Sequence, residues 1–442
     1  MKAPRPVARL VRLALPHLST FFSFSAIQAA QLLLPLLALP WLARVLGPHA
    51  FGLLMYMSLI PPLVALVMDW GFPFGAAREA ARLRGDREGL ARLMGAVFSG
   101  RLFLALACVA ASLALLPLVP HAREHPAAYG LAVLMGIGRG ISPVWFFQGV
   151  GQGMRRMAAW DVGSSLGALA LTFLCIRRPE AWPLYLLFAA LCKGLVYAGL
   201  SLGLMRAWGA RLSLAAGWRA LGRTRTLFAG SVAPVLSTSG GQLVLGYFLT
   251  AADMGLLVAV NKIVRALVSL LKPAVQTLFP ELCALRGRRS PRTARLLLLF
   301  TGASTGCMLL AAALAWLTAP WLIRLALGAG YDEAVPVLRL MLLLAPLLGC
   351  DMVLGAQVLV PLGLERAQTL VQWGAALLGL PLAALLGARF GLAGGALLPV
   401  AVEALTFLGL TACILRFCPG ALIPGARLPA RRDISPETPL QR

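Results

Sequence analysis

Long apolar runs broken by short clusters of glycine, proline and charge set the pattern of this chain. Leu102–Val119, Leu296–Leu317 and Leu370–Leu386 are typical. At about 1.5 Å of rise per residue, such runs cross most or all of a roughly 30 Å hydrocarbon core. The breaks predict helices near 18–46, 51–77, 93–119, 127–152, 158–176 and 181–206, then near 226–249, 253–283, 294–318, 333–360, 367–388 and 391–417. The expectation is an all-α polytopic membrane protein of about 12 transmembrane helices, with a first lobe at 18–206 and a second at 226–417. A short segment, 1–17, precedes them, a basic linker, 207–225, joins them, and a Pro- and Arg-rich tail, 418–442, reads as disordered. Arg12–Leu46 runs straight into a longer apolar segment containing Pro35 and Pro40, so it reads as a first spanning helix rather than a cleaved signal.

Composition agrees. The chain is 60% hydrophobic and 13% charged, with mean hydropathy +0.83, whereas soluble domains are about half apolar and a quarter charged. The net charge of +24 would suit nucleic acid in a soluble protein, but its placement points elsewhere. With twelve helices both termini share one side, and that side collects 27 of the 40 arginines and lysines, including Arg78–Arg92, Arg206–Arg225 and Arg286–Arg295, while the other side has six. By the positive-inside rule both termini are expected to be cytoplasmic, and the basic residues are orientation signal and attraction for anionic membrane lipid rather than a nucleic-acid surface. The eight cysteines are scattered without metal spacing, and the four histidines form no grouping with Ser, Cys or Asp. No cofactor, metal or catalytic residue is expected.

The chain also repeats. Leu46–Leu54 reads LGPHAFGLL and, 203 residues on, Leu249–Leu257 reads LTAADMGLL, each joining the first two helices of its half. Ordinary Gly- and Ala-rich turns are the alternative source of the likeness. An even number of intervening helices makes the halves parallel, pseudo-symmetric repeats, an arrangement suited to alternating access. A third turn, Phe390–Leu398 (FGLAGGALL), precedes the last helix, and its glycines permit close helix approach.

These turns, together with LARVLGPHAFG (42–52), WFFQGVGQGM (145–154), LVAVNKIVRAL (257–267), QTLFPEL (276–282) and IRLALGAGYDEAVPVLRLM (323–341), resemble the polysaccharide flippases, the O-antigen and capsule oligosaccharide exporters of the multidrug/oligosaccharidyl-lipid/polysaccharide exporter superfamily. The stretches cover nearly the whole chain in the expected order. The resemblance implies two six-helix lobes around a central cavity that opens alternately to either side. It also implies a substrate of oligosaccharide linked to polyprenyl pyrophosphate, made by glycosyltransferases and passed to a polymerase. In WFFQGVGQGM the acidic residue that such proteins often carry after the glycine is replaced by Gly151 or Gln152, which leaves no carboxylate there to act.

Charges inside apolar helices cost several kcal/mol unless they face a cavity or a partner. Counting from the outer end, Lys262 lies about 13 Å, Arg265 about 18 Å and Lys272 about 28 Å along their helix, on one face. Arg139, in GIGRGIS, lies about 18 Å along its own helix, and its flanking glycines leave room for a bulky headgroup. Arg339 sits nearer the outer mouth, and Lys193 is mid-helix. Guanidinium forks match phosphate oxygens and lysine adds a point charge, which makes these six the candidate cavity cations. Each has a structural alternative: Lys272 snorkels, Arg339 caps a helix end, Lys193 pairs locally. Gln28, Gln31, Gln242 and Asn261 either contact sugar hydroxyls or join helices. Glu403 is either a proton or sodium carrier for coupling or a structural hydrogen bonder. Asp69 is a second candidate acid, expected to pair with an arginine of Arg78–Arg92.

A flippase for lipid-linked oligosaccharide is the leading reading. A peptidoglycan-precursor flippase or a multidrug exporter of the same fold is the alternative, and a membrane polysaccharide polymerase or ligase is the alternative from another class. A drug-cation exporter favours carboxylates over arginines in its cavity. A polymerase favours a long external loop, and the outward turns at 250–253 and 387–390 are very short.

Overall fold

Within a bilayer a backbone amide finds no water, so each apolar run must satisfy its own hydrogen bonds as helix. The computed structural model describes residues 6–269, 291–359 and 364–417, and every regular element among them is helical. They are α1 Pro6–Met57, α2 Ile60–Asp69, α3 Phe72–Arg82, α4 Arg87–Leu115, α5 Pro126–Gly140, α6 Val144–Val150, α7 Met154–Cys175 and α8 Pro183–Trp208. There follow α9 Leu214–Val235, α10 Gly241–Leu245, α11 Ala251–Ser269, α12 Pro291–Leu317, α13 Ala319–Ala326, α14 Ala334–Met341, α15 Leu344–Val353 and α16 Glu365–Phe417. Lys272, Gln276–Leu282, Cys283, Cys418 and the tail lie outside the described residues.

Seven helical stretches among the described residues are long and apolar enough to cross a membrane, and a bent pair, Gly302–Leu317 with Ala319–Ala326 at 76°, makes an eighth. Two stretches, Leu33–Arg82 with 50 residues and Glu365–Arg416 with 52, exceed twice the roughly 20 residues that one crossing needs. Each holds an internal break at a glycine: Gly47 (φ 70°, ψ 171°) and Gly391 (φ 52°, ψ −130°). These glycines fall in the turns expected at 46–54 and 390–398, and only a residue without Cβ adopts such angles at little cost.

Four expected helices are interrupted, the one at 333–360 at Leu342–Leu343 and again by a π turn, Leu354–Leu359. The helix expected at 51–77 breaks at Ser58–Leu59, because Pro61 and Pro62 withhold the amides that would continue the ladder. It breaks again at Trp70 and Gly71, both in the left-handed region (φ 41° and 77°). The one expected at 127–152 divides into α5 and α6 before Pro143. A π turn, Leu236–Gly240, interrupts 226–249 just after Pro234. The linker expected at 207–225 is largely helical: Ser213 caps α9, which continues into the next apolar segment. α9 packs on α4 through Gly217, whose absent Cβ would fall 2.8 Å from the Gly100 nitrogen. Trp70 stacks on Phe228 at 4.0 Å and donates from Nε1 to the Leu221 carbonyl at 3.0 Å.

The repeated turns meet. Gly52 of LGPHAFGLL and Gly255 of LTAADMGLL hold equivalent places, and a Cβ on Gly255 would lie 2.7 Å from the Gly52 Cα. A Cβ on Gly52 would lie 1.9 Å from the Ala251 oxygen. Around this contact Tyr331 donates to the Ala43 carbonyl (2.8 Å), Arg44 to the Leu325 carbonyl (3.2 Å) and Tyr56 to the Leu243 carbonyl (3.2 Å). The stretches 42–52 and 323–341, far apart in sequence, thus join the two halves at one end of the molecule.

Overpacking at such a contact costs about 1–3 kcal/mol. Gly52→Leu is therefore expected to open this end, increasing maleimide labelling of a single cysteine placed at Ala259 in a cysteine-free background. Gly199→Leu, whose added atom meets nothing within 4 Å, should leave labelling unchanged.

Candidate functional site

The break in the helix that begins with LGPHAFGLL is where the first deep cation sits. Pro61 and Pro62 end the ladder at Ser58, whose Oγ donates back to the Met55 carbonyl at 2.7 Å. From the other half of the chain, Lys262 on α11 donates from Nζ to Ser58 Oγ at 3.0 Å and approaches Met55 Sδ at 3.4 Å. The ammonium thus lies by the carbonyl end of α1, where the helix dipole favours positive charge.

Arg139, in the last turn of α5, is close enough for its charge to act on Lys262 across the halves, and on Lys193 and Asp69 within its own half. Its guanidinium has no hydrogen bond or ion pair among the described residues. Instead it lines a pocket of about 90 Å³ between α1, α5, α7 and α8, together with Gln31, Ser165, Thr172, Tyr185 and Lys193. The glycines around Arg139 are packing residues rather than space for a ligand: Gly140 seats against Met68 and Gly138 against Gly194, where an added Cβ would meet atoms at 2.1 and 3.1 Å.

Lys193 is different. Its Nζ lies 3.3 Å from Asp161, a fully buried carboxylate that also accepts from the Tyr197 hydroxyl. The expected local pair is present, so Lys193 brings to the pocket a charge already balanced. Arg139 brings one that is not.

Lys262 and Arg265 do not share a face in their contacts, contrary to the expected stripe. Lys262 reaches the first half, whereas Arg265 donates from Nε to Asn261 Oδ1 at 3.2 Å and interacts with the charge of Glu403. Three residues of separation put the two stems about a sixth of a turn apart, and the long side chains then follow different partners. Glu403 in turn lies close enough to Asp351, on α15, for their charges to interact, while neither Asp351 oxygen has a hydrogen-bond partner among the described residues. Arg339 stacks over Trp316 at 4.6 Å with its Nε buried, a packing role. Gln28 and Gln31 are exposed. Gln242 is buried, and its Nε2 has no partner among the described residues.

Asp69 pairs with Arg101 of α4 at 3.9 Å, not with an arginine of 78–92 as expected. Arg101 is 3% exposed and donates from Nη1 to the carbonyls of Ile141 and Ser142, both at 2.9 Å. It thereby satisfies the frayed end of α5 beside Arg139. Arg101 was not among the candidate cations read from the sequence. Its place inside the predicted helix 93–119 was the available signal. Among the described residues no grouping of His, Cys, Asp and Glu could hold a metal ion.

With this geometry in hand, comparisons with known proteins give one consistent answer. A family model described as polysaccharide biosynthesis protein matches residues 18–285. A protein of Escherichia coli (strain K12) named "Putative O-antigen transporter" is 26% identical over 392 residues, covering 86% of this chain and 92% of that one. Among solved structures, an inward-facing multidrug resistance MATE family transporter of the MOP superfamily aligns with TM-score 0.66 at 16% identity, over 90% of this chain and 98% of its own. The lipid II flippase MurJ in an inward closed conformation aligns with TM-score 0.66 at 14% identity, over 92% and 89%. The chain thus shares its fold with these two transporters.

Hydrogen bonds to a charged group contribute about 1.5–3 kcal/mol each, and buried Arg101 makes two to backbone carbonyls, while its ion-pair partner Asp69 is 41% exposed. Arg101→Ala should destabilise the protein by about 3 kcal/mol in detergent thermal unfolding. Asp69→Asn alone should cost much less, because that carboxylate reaches the surface.

Proposed function

The chain belongs to the polysaccharide biosynthesis protein family, and from that premise we propose that it flips polyprenyl-pyrophosphate-linked oligosaccharide across the bacterial inner membrane. The observation that carries this reading is Arg139: a guanidinium with no hydrogen bond or ion pair among the described residues, lining a pocket between helices, with Lys262 and Lys193 in electrostatic range. Pyrophosphate is the anionic group at the head of such a lipid, and the forked donors of arginine match its oxygens. Gln31, Ser165 and Tyr185 on the same pocket wall give hydroxyl and amide partners of the kind that sugars need.

In this reading the chain forms twelve crossings in two six-helix lobes, with both termini cytoplasmic. The Gly52–Gly255 contact then closes the periplasmic end, and the conformation described is the inward-facing one. The headgroup meets Arg139 and Lys262 from the cytoplasmic side while the polyprenyl tail stays in lipid. Opening the glycine contact and closing the opposite end releases it outward. No covalent step is involved, and Asp161 keeps the neighbouring Lys193 from holding the anion too tightly for release. Arg265 serves the second lobe through Glu403, which with Asp351 forms the candidate coupling pair. Asp69 positions Arg101 rather than coupling transport. A polymerase and glycosyltransferases act after and before this step.

Hydrogen bonds to charged groups contribute about 1.5–3 kcal/mol each. The Arg139→Ala, Lys262→Ala double variant should therefore reduce flipping of fluorescent polyprenyl-pyrophosphate oligosaccharide in proteoliposomes by at least about 100-fold. Arg139→Lys should retain part of the activity. Unchanged flipping by the inserted double variant would refute the assignment.

A further inference from the structure

A second cavity lies apart from the Arg139 pocket, at the end of the molecule that carries the basic linker. It encloses about 590 Å³ where α6, α7 and α8 end or begin. Phe146, Phe147 and Trp208 form its apolar wall, with Phe146 edge-on to Trp208 at 5.4 Å. Arg155 and Arg156, in the first turn of α7, supply its charge, and no acidic residue lines it. Both arginines are exposed, and neither has a side-chain hydrogen bond or ion pair among the described residues. The cavity is built around WFFQGVGQGM, a stretch singled out by sequence that the proposed transport site leaves unused. Its turn holds Gly151 and Gly153 in the left-handed region (φ 77° and 76°), and Arg84 braces it by donating from Nε to the Gly149 carbonyl at 2.8 Å.

We propose that this cavity holds the phosphate headgroup of an anionic bilayer phospholipid. Three observations fix the class of ligand. Two arginines with no hydrogen bond or ion pair among the described residues, and no carboxylate on the cavity wall, offer forked donors of the kind phosphate oxygens accept. The aromatic wall beside them is the amphipathic lining found where hydrocarbon meets water. The helices that frame the cavity turn apolar residues outward further along, with Leu195 67% and Leu166 48% exposed, so acyl chains have a surface to follow. Basic pockets between helices at the cytoplasmic rim collect anionic headgroups for the same reasons. A soluble anion would gain nothing from the aromatic wall. The site does not depend on what the protein transports, and it gives the first half of the chain a fixed lipid contact at the rim.

The test is binding of spin-labelled phosphatidylglycerol to the purified, full-length protein in detergent, with spin-labelled phosphatidylcholine and inorganic phosphate as comparison ligands. Each basic residue near an anionic membrane surface contributes enough that the Arg155→Gln, Arg156→Gln pair should weaken phosphatidylglycerol binding about 10- to 30-fold. Arg155→Lys, Arg156→Lys should retain most of the affinity. Arg177→Gln, Arg178→Gln, just beyond the other end of α7, should leave it unchanged. Trp208→Leu should weaken the lipid and not inorganic phosphate, and thermal unfolding of each variant confirms that the folded protein is compared. Equal binding of the two lipids, or full affinity in the Arg155→Gln, Arg156→Gln protein, would overturn the proposal. Inorganic phosphate binding as tightly as phosphatidylglycerol would assign a free-anion site and overturn it equally.

Discussion

Charge is costly in hydrocarbon, and the rest of the structure follows from how this chain meets that cost. Asp161 neutralises Lys193 at 3.3 Å, and Arg101 is held by Asp69 and two backbone carbonyls. Arg265 turns to Asn261 and Glu403. Arg139 alone among these has neither an ion pair nor a hydrogen bond among the described residues, and it shares its pocket wall with the neutralised Lys193. Our proposal rests on this contrast: the neighbouring charges are compensated, and the one guanidinium left open is read as kept for a ligand.

The second constraint is helix packing without a hydrophobic driving force between helices. In lipid, close approach depends on small residues, and the halves come close at the glycines of the repeat, Gly52 and Gly255. The same economy appears along α5, where Gly136, Gly138 and Gly140 take up Val64, Gly194 and Met68. These contacts hold α5 against α2 and α8, and so fix where Arg139 points. Helix breaks complete the arrangement: Pro61 and Pro62 interrupt the ladder, and Lys262 arrives where the carbonyl end is exposed. Packing and electrostatics meet at one level of the bundle.

Much of this was legible beforehand. Apolar run length gave the helical class, and the turns at Gly47 and Gly391 fell where glycine-rich stretches were read. Arg139 and Lys262 were singled out for their depth, and they do come within electrostatic range of each other. What escaped were pairings decided by tertiary contact. Asp69 has several arginines near it in sequence but meets Arg101, because α4 returns beside α2. Arg265 and Lys262 look like one stripe on a helical projection, yet they reach in different directions. The glycines flanking Arg139 looked like ligand space and proved to be helix contacts, a distinction that only the neighbouring helix can make.

The central claim is that the open guanidinium of Arg139 recognises the pyrophosphate of a lipid-linked sugar. The most direct measurement compares equilibrium binding of polyprenyl pyrophosphate and the matching polyprenyl alcohol to the purified protein. The account predicts that the pyrophosphate binds at least about tenfold more tightly, as charge-assisted hydrogen bonds require, and that Arg139→Gln removes most of the difference. Equal affinity for the two, or a preference that Arg139→Gln leaves intact, would contradict it.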